Sequence, residues 1–185
     1  MNHKGTTTIL TERIVLRPFT MEDAEAMYRN WASDPEVTKY LTWPTHCSIQ
    51  VSKNVLESWC AQNGNPENYQ WAIVLKEINE PIGSIAVVKL NNDIESMDIG
   101  YCIGRDWWGQ EIMPEALKAL IDFLFKEVGI NRMAACHDVN NPNSGRVMQK
   151  AGMTYEGTWR AAGRNNLGVI DEAWYSILKD EYIEG

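Results

Sequence analysis

Between residues 69 and 128 the spacing of apolar residues changes once, and that change limits what the chain can fold into. Segments 69–77 (YQWAIVLKE), 82–90 (IGSIAVVKL) and 96–104 (SMDIGYCIG) are rich in β-branched and aromatic residues. They are separated by the turn-like 78–81 (INEP) and the loop 91–95 (NNDIE), which is the pattern of consecutive strands. From Ile112 the period becomes helical. Ile112, Ala116, Leu117, Leu120, Ile121, Leu124 and Phe125 share one face of a helix that ends at Val128-Gly129.

The flanks extend this alternation. Residues 13–19 (RIVLRPF) predict a first strand stopped at Pro18, and Thr20 caps a helix over 21–32 with Glu22 and Asp23 in its first turn. Asp34-Pro35 opens a short helical piece, and 48–64 is amphipathic and closes at Gly64. After the central helix come a strand over 131–139, a short helix over 143–152, and strands over 153–161 and 169–178. Early helices, central antiparallel hairpins and a βαβα unit before a last hairpin predict an α/β fold: a mixed sheet with helices on both faces. With 185 residues and no linker or repeat, the chain reads as a single domain, 1–185.

No apolar run approaches the roughly 20 residues that span a bilayer, and MNHKGTTTILTER has no apolar segment of signal-peptide length, so a cytoplasmic protein with no membrane partner is expected. The formal net charge of −8 argues against a nucleic-acid surface and suits a cationic partner. Cys47, Cys60, Cys102 and Cys136 are widely separated, without a C-x-x-C pair. They read as buried reduced thiols, with no metal site.

The strand–turn–helix junction at 107–116 (WWGQEIMPEA) is where chemistry is expected. A helix start offers backbone N–H groups without intrahelical partners, and the helix dipole adds partial positive charge. The turn is neither G-x-x-x-x-G-K-S/T nor G-x-G-x-x-G, so neither nucleotide-loop motif is present. Its neighbourhood is specific, however. The ordered set of 11–18 (TERIVLRP), 33–41 (SDPEVTKYL), 82–85 (IGSI), the W-G-Q-x-I-M-P-E-A helix, 140–144 (NNPNS), 150–153 (KAGM), 155–160 (YEGTWR) and 171–178 (DEAWYSIL) resembles the GNAT superfamily of acetyl-CoA-dependent N-acetyltransferases. Within it, the chain is similar to the RimJ/RimL-like branch that acetylates ribosomal-protein N-termini, along almost its whole length.

That resemblance implies a central, mostly antiparallel GNAT-like sheet and acetyl-CoA as cosubstrate. It implies that the backbone of Tyr101, Cys102 and Ile103 pairs with the pantetheine arm. The pyrophosphate would sit on backbone amides of Trp108, Gly109, Gln110, Glu111, Ile112 and Met113. Asn141 takes the position of the family asparagine, and Ser144 lies near the thioester sulfur. A homodimer through the last strands is also suggested by the family alone.

Two positions depart from the family pattern. Glu111 stands where a second glycine is usual, and a carboxylate about 6 Å from a pyrophosphate costs about 1–2 kcal/mol when solvent-screened, or roughly tenfold in affinity. Met148 stands where many relatives carry a tyrosine that protonates the leaving thiolate, and methionine has no proton to give. Ser144 is then the expected donor. Trp107 and Trp108 suit either packing or cofactor walls, whereas Glu115 and Ala116 read as a first-turn carboxylate and a helix-packing residue. Pro114 fits a first helical turn.

For the base, Asp98 and Glu156 are the candidates. An α-amine, with a pKa of about 7.7–8.0, is already partly neutral at physiological pH, whereas a lysine at about 10.4 is not. Cys102 has no evident histidine partner, so direct transfer in a ternary complex is expected rather than an acyl-enzyme. His137, alone at a strand end, reads as structural. The acceptor is expected to be a protein α-amino group; a small amine such as a polyamine or aminoglycoside, and a CoA-binding role without catalysis, are the alternatives. Trp31, Tyr40, Trp43 and Trp59 belong either to an acceptor groove or to the core.

Overall fold

The structure, a computed structural model, describes residues 1–182. One eight-stranded sheet runs in the order β1-β2-β3-β4-β5-β6-β8-β7. Its strands are β1 (Ile9–Leu10), β2 (Ile14–Pro18), β3 (Gln70–Leu75), β4 (Glu80–Asn91), β5 (Ser96–Ile103), β6 (Arg132–Asp138), β7 (Thr154–Asn165) and β8 (Gly168–Leu178). All neighbours pair antiparallel except β5 and β6. Helices α1 (Ala24–Met27), α2 (Pro35–Thr38) and α3 (Ile49–Cys60) precede β3; α4 (Ile112–Phe123) links β5 to β6, and α5 (Pro142–Lys150) links β6 to β7. The mixed sheet and the order of its elements follow the sequence expectation.

The strand period sorts side chains onto two cores. Ile14, Leu16, Ile73, Ile85, Met97, Ile99 and Met133 face α4, whose Ala116, Leu117, Leu120 and Ile121 are nearly fully buried against them. Ala72 and Val74 point the other way, beneath Phe19, which follows β2, and Met27, Trp31, Val37 and Leu56 of the early helical segments. Trp31 and Trp59 therefore belong to this second core, Trp59 packing on Phe19 with ring centroids 5.0 Å apart.

Several local readings are corrected. Residues 21–32 do not form one α-helix: a 3-10 turn (Met21–Asp23) leads into α1 and then a π-helical turn (Tyr28–Ala32). The cause is Asp23, which turns back to accept the Thr20 amide at 2.9 Å and both guanidinium nitrogens of Arg17 at 2.7 and 2.8 Å. β1 was not foreseen, because two residues carry no periodicity. Pro81 lies inside β4 rather than in the preceding turn, at a register shift of the β3–β4 ladder. Cys47 is exposed, against the expectation of buried thiols, whereas Cys60, Cys102 and Cys136 are partly buried, and all four are reduced. No helix among the described residues is long and apolar enough to cross a membrane, and no cluster there could hold a metal ion.

Glu115 does more than favour a helix dipole. It accepts the Thr11 hydroxyl at 2.6 Å, the Arg13 amide at 2.9 Å and Arg13 Nε at 2.7 Å, while Arg13 Nη1 donates to the Gln110 carbonyl at 2.8 Å. The β1–β2 turn is thereby tied to the start of α4. Burial works against the charge, but the Thr11 and Arg13 donors outweigh it and hold the carboxyl below its ordinary value of 4.5. With a depressed folded pKa, the stabilisation is present above that ordinary value and lost as pH falls through the folded one. Glu115→Gln is expected to lower stability by about 1–2 kcal/mol near neutrality. In urea melts the gap to the native protein should close below pH 4.5; a gap independent of pH would assign the loss to something other than the charge.

Candidate active site

The parallel β5–β6 ladder stops early. It pairs Ser96 with Arg132, Met97 with Met133 and Asp98 with Ala134, and no further. Beyond Asp98, β5 stays with β4 (Cys102 opposite Ser84, Ile103 opposite Gly83) and β6 stays with β8 (His137 opposite Ala173). The two strands part, and the β6-facing backbone groups of Tyr101 and Ile103 have no strand partner, whereas the backbone of Cys102, expected to join them, faces β4. Gly83 is required here: a Cβ on it would lie 2.3 Å from the Cys102 carbonyl oxygen.

A cleft of about 490 Å³ opens from this wedge. Its walls are Tyr101, Cys102 and Ile103, the turn and first residues of α4 (Trp107–Gly109 and Glu111–Pro114), and the start of α5 with Asn141 and Ser144. Across the mouth lies the α2 segment with Glu36, Lys39, Tyr40 and Leu41. Trp107 packs on the main core, and Trp108, half-exposed, anchors its indole N–H on the Ile103 carbonyl at 2.9 Å. Both tryptophans thus serve packing and wall together.

The turn into α4 is built to leave amides free. Gly109 adopts φ +73° and Glu111, which caps the helix, φ +62°. Among the described residues no acceptor is found for the backbone N–H groups of Gly109, Gln110, Glu111, Ile112 and Met113, and Pro114 has none to offer; the Trp108 N–H, expected among them, closes the preceding 3-10 turn on the Arg105 carbonyl at 3.1 Å instead. The Gln110 side chain turns away to the Asp106 carbonyl at 2.8 Å, so only its backbone belongs to the site.

Glu111 explains why glycine is the usual residue there: its backbone is left-handed, a conformation costly for residues with a Cβ. Its carboxylate does not stand alone in the mouth, because Lys150 of α5 forms an ion pair with it. The electrostatic penalty expected from the sequence is largely offset by that cation. Glu111→Gly is expected to tighten CoA binding by up to about tenfold, since it relaxes the turn and frees Lys150 for phosphate. Titration calorimetry with CoA checks this; weaker binding would mean that the Glu111–Lys150 pair holds the mouth in shape.

At the α5 side, Asn141 precedes the first turn and its side-chain amide has no hydrogen bond among the described residues. Buried Asp138 holds the preceding loop, accepting the Asn140 amide at 2.8 Å and the Asn165 amide nitrogen at 2.8 Å. Ser144 donates its hydroxyl to the Tyr101 phenol oxygen at 3.0 Å. Burial pushes the Tyr101 hydroxyl well above its ordinary range.

Other expected residues lie elsewhere. Glu156 is held by both guanidinium nitrogens of Arg132, at 2.8 and 2.6 Å, and by the Ser176 hydroxyl at 2.9 Å. Those donors, Arg132 first, hold its carboxyl below the usual range, and it does not line the cleft. The structure therefore removes Glu156 as a base. Asp98 also lies outside the cleft lining, on the opposite face of β5 from Tyr101; burial raises its pKa, against the pull of Lys89 and Arg132. No ion-pair partner lies within 4.0 Å of Asp98 among the described residues.

Met148 is buried in the core, not in the cleft. His137 is wedged between Gly145, where a Cβ would sit 2.5 Å from Nε2, and the Tyr175 ring at 5.8 Å. Cys102 lines the cleft, but burial raises its thiol pKa and Ser84 Oγ sits 3.4 Å away, an arrangement without a base. Sequence reasoning missed Arg146 and Lys150, cations on the cleft side of α5; Tyr40, left open between groove and core, lines the cleft and donates to the Asn140 carbonyl at 3.0 Å. The i, i+4 spacing of Arg146 and Lys150 was the available signal.

Comparison with known proteins decides what this cleft belongs to. Residues 13–154 match the Acetyltransferase (GNAT) domain. The chain is a GNAT acetyltransferase. An N-acetyltransferase called p20 from Bacillus licheniformis, itself uncharacterised, is 30% identical over 175 residues, covering 95% of this chain and 98% of that one. YdaF of Bacillus subtilis (strain 168), provisionally named a ribosomal N-acetyltransferase, is 33% identical over 100 residues, 54% of this chain and 55% of that one. Among solved structures, a GNAT-family acetyltransferase from Bacillus anthracis superposes with a TM-score of 0.82 at 26% identity, over 94% of this chain and 99% of that one. RimL, the ribosomal L7/L12 alpha-N-protein acetyltransferase solved with coenzyme A, gives a TM-score of 0.83 at 20% identity, over 95% and 100%.

This GNAT enzyme is an N-acetyltransferase, and its cosubstrate is acetyl-CoA. The residues present fit that molecule: partnerless amides at a helix start suit phosphate, Arg146 and Lys150 add positive charge, and Trp107, Ile112 and Val147 give apolar walls.

Proposed function

We propose that the enzyme acetylates the α-amino group of a protein by direct transfer in a ternary complex. One observation carries this reading. The carboxylates that line the cleft, Glu36 and Glu111, are each engaged by a lysine, Lys39 and Lys150 respectively. A site whose own carboxylates are occupied deprotonates poorly, and it suits an amine that is already partly neutral. An α-amine at about 7.7–8.0 meets that requirement; a lysine or polyamine nitrogen near 10.4 requires a stronger base. The names of YdaF and RimL support the same class of acceptor.

Acetyl-CoA supplies the activated acyl group. The protein's part is to hold it on the amides from Gly109 to Met113, to offer the unpaired backbone of Tyr101 and the Ile103 N–H to the arm and the developing oxyanion, and to keep Ser144 as the donor at the sulfur end. Asn141 completes the wall at that end. Asp98, like Glu156, lies outside the cleft lining, so the proton shed by the amine passes to solvent water. The acidic surface, net charge −8, draws in basic protein termini.

Mass spectrometry of peptides with free and blocked N-termini, incubated with acetyl-CoA, tests the reading beside a panel of polyamines and aminoglycosides. One added acetyl group on free N-termini is expected, with a rate that rises with pH through about 8 and then levels as the amine becomes neutral. Transfer confined to lysine side chains or to small amines would overturn it.

A further inference from the structure

The wedge between β5 and β6 is bridged by one pair of hydroxyls, and its geometry has two settings. The Tyr101 phenol, from β5, donates to the Ser144 backbone carbonyl at 3.0 Å. The Ser144 hydroxyl, from α5, donates back to the phenol oxygen, also at 3.0 Å. In this arrangement the Ser144 proton is committed to Tyr101 and is not aimed into the cleft. The phenol oxygen is nevertheless equally distant from both Ser144 oxygens. Rotating its O–H from the carbonyl to Oγ reverses the pair and releases the Ser144 proton for a third acceptor, with no heavy atom displaced.

We infer that Tyr101 is a positioning residue for acetyl transfer, which holds the Ser144 hydroxyl ready and turns its proton toward the departing sulfur by reversing their mutual hydrogen bond. When the acceptor nitrogen bonds to the acetyl carbon and the C–S bond breaks, the electron pair stays on sulfur and the nitrogen sheds its extra proton to solvent water. A thiolate is a stronger acceptor than a phenol oxygen, so the Ser144 O–H swings to it. The Tyr101 O–H follows onto Ser144 Oγ, which polarises the serine hydroxyl and strengthens its donation. No net proton leaves Tyr101. The same burial that raises its pKa makes a phenolate there unfavourable and keeps the phenol a donor throughout. Met148, buried in the core, leaves this strand tyrosine and Ser144 as the hydroxyl pair at this end of the cleft.

The inference rests on Ser144 facing the sulfur, and a test independent of the acceptor separates the two ideas. The thiolate absorbance of bound CoA, titrated with pH, reports how strongly the site favours S⁻ over S–H. Wild type is expected to lower the bound thiol's pKa by about one unit relative to free CoA. Tyr101→Phe, which removes only the phenol oxygen, should cancel most of that shift while CoA affinity stays within about twofold. Ser144→Ala should cancel it too, and the double variant should match Ser144→Ala alone, because Tyr101 acts through the serine. A wild-type titration in Tyr101→Phe beside a raised one in Ser144→Ala would overturn the role of Tyr101. Full additivity in the double variant would overturn it as well. A titration in Ser144→Ala that stays at the wild-type position would instead overturn the placement of Ser144 itself.

Discussion

Ser144→Ala is expected to lower kcat for acetyl transfer about 100-fold while CoA affinity changes by less than about threefold. The asymmetry follows from where the residue sits. Ser144 is on the first turn of α5, half-buried in the cleft wall, and its hydroxyl bonds only Tyr101 among the described residues. Binding of the carrier depends on amides at the other helix, α4, which the substitution leaves untouched. A hydrogen bond that forms fully only when sulfur becomes an anion stabilises the transition state and not the bound ground state. Steady-state release of the CoA thiol, measured at saturating acceptor, checks kcat; calorimetry checks affinity. An unchanged kcat would move thiolate stabilisation to another group, and a loss confined to KM would make Ser144 a binding residue only.

The largest loss of stability is expected from Asp23→Ala, about 3 kcal/mol. Asp23 is 5% exposed and accepts two bonds from Arg17 and one from the Thr20 amide. Removing it leaves the Arg17 guanidinium, raised in pKa chiefly by its hydrogen bond to Asp23, charged and without its anion. Arg17 keeps only the Pro18 carbonyl, at 3.0 Å. Breaking a buried pair costs about 3–5 kcal/mol; the Arg17 side chain retains 28% exposure, so solvent recovers part of the cost and the lower end applies. Urea unfolding should show a lower midpoint with an unchanged slope. A loss below about 1 kcal/mol would show that water replaces Asp23 at Arg17. The consequence reaches the site, because Arg17–Asp23 joins β2 to the helices that carry the α2 wall of the cleft.

Much of the architecture was legible because local pattern and tertiary burial agree. In α4 and the π-helical turn that continues it (Leu124–Val128) the predicted apolar face, Ile112 through Phe125, is the buried face, and the three central strands begin and end within a few residues of their expected limits. Agreement failed where a single side chain overrode the local period. Asp23 draws the chain into a 3-10 turn, and Pro81 is accommodated at a register shift. Within the site, Gly109–Met113 could be read from the motif because free amides are a property of a helix start. The sorting of carboxylates could not. Asp98 and Glu156 look alike in sequence, and their difference is created by Arg132, a residue distant along the chain from both, which takes up Glu156 and not Asp98.

Residue order alone determined the alternation of strands and helices, the family resemblance, and the helix start that leaves amides free, since each depends on neighbours within a few positions. Only the tertiary structure decided that β5 and β6 part after Asp98, that Lys150 answers the charge of Glu111, and that Tyr101 meets Ser144 across the gap. Those are contacts between groups far apart in the chain. Their energies depend on distance and burial in three dimensions, and no local spacing encodes either.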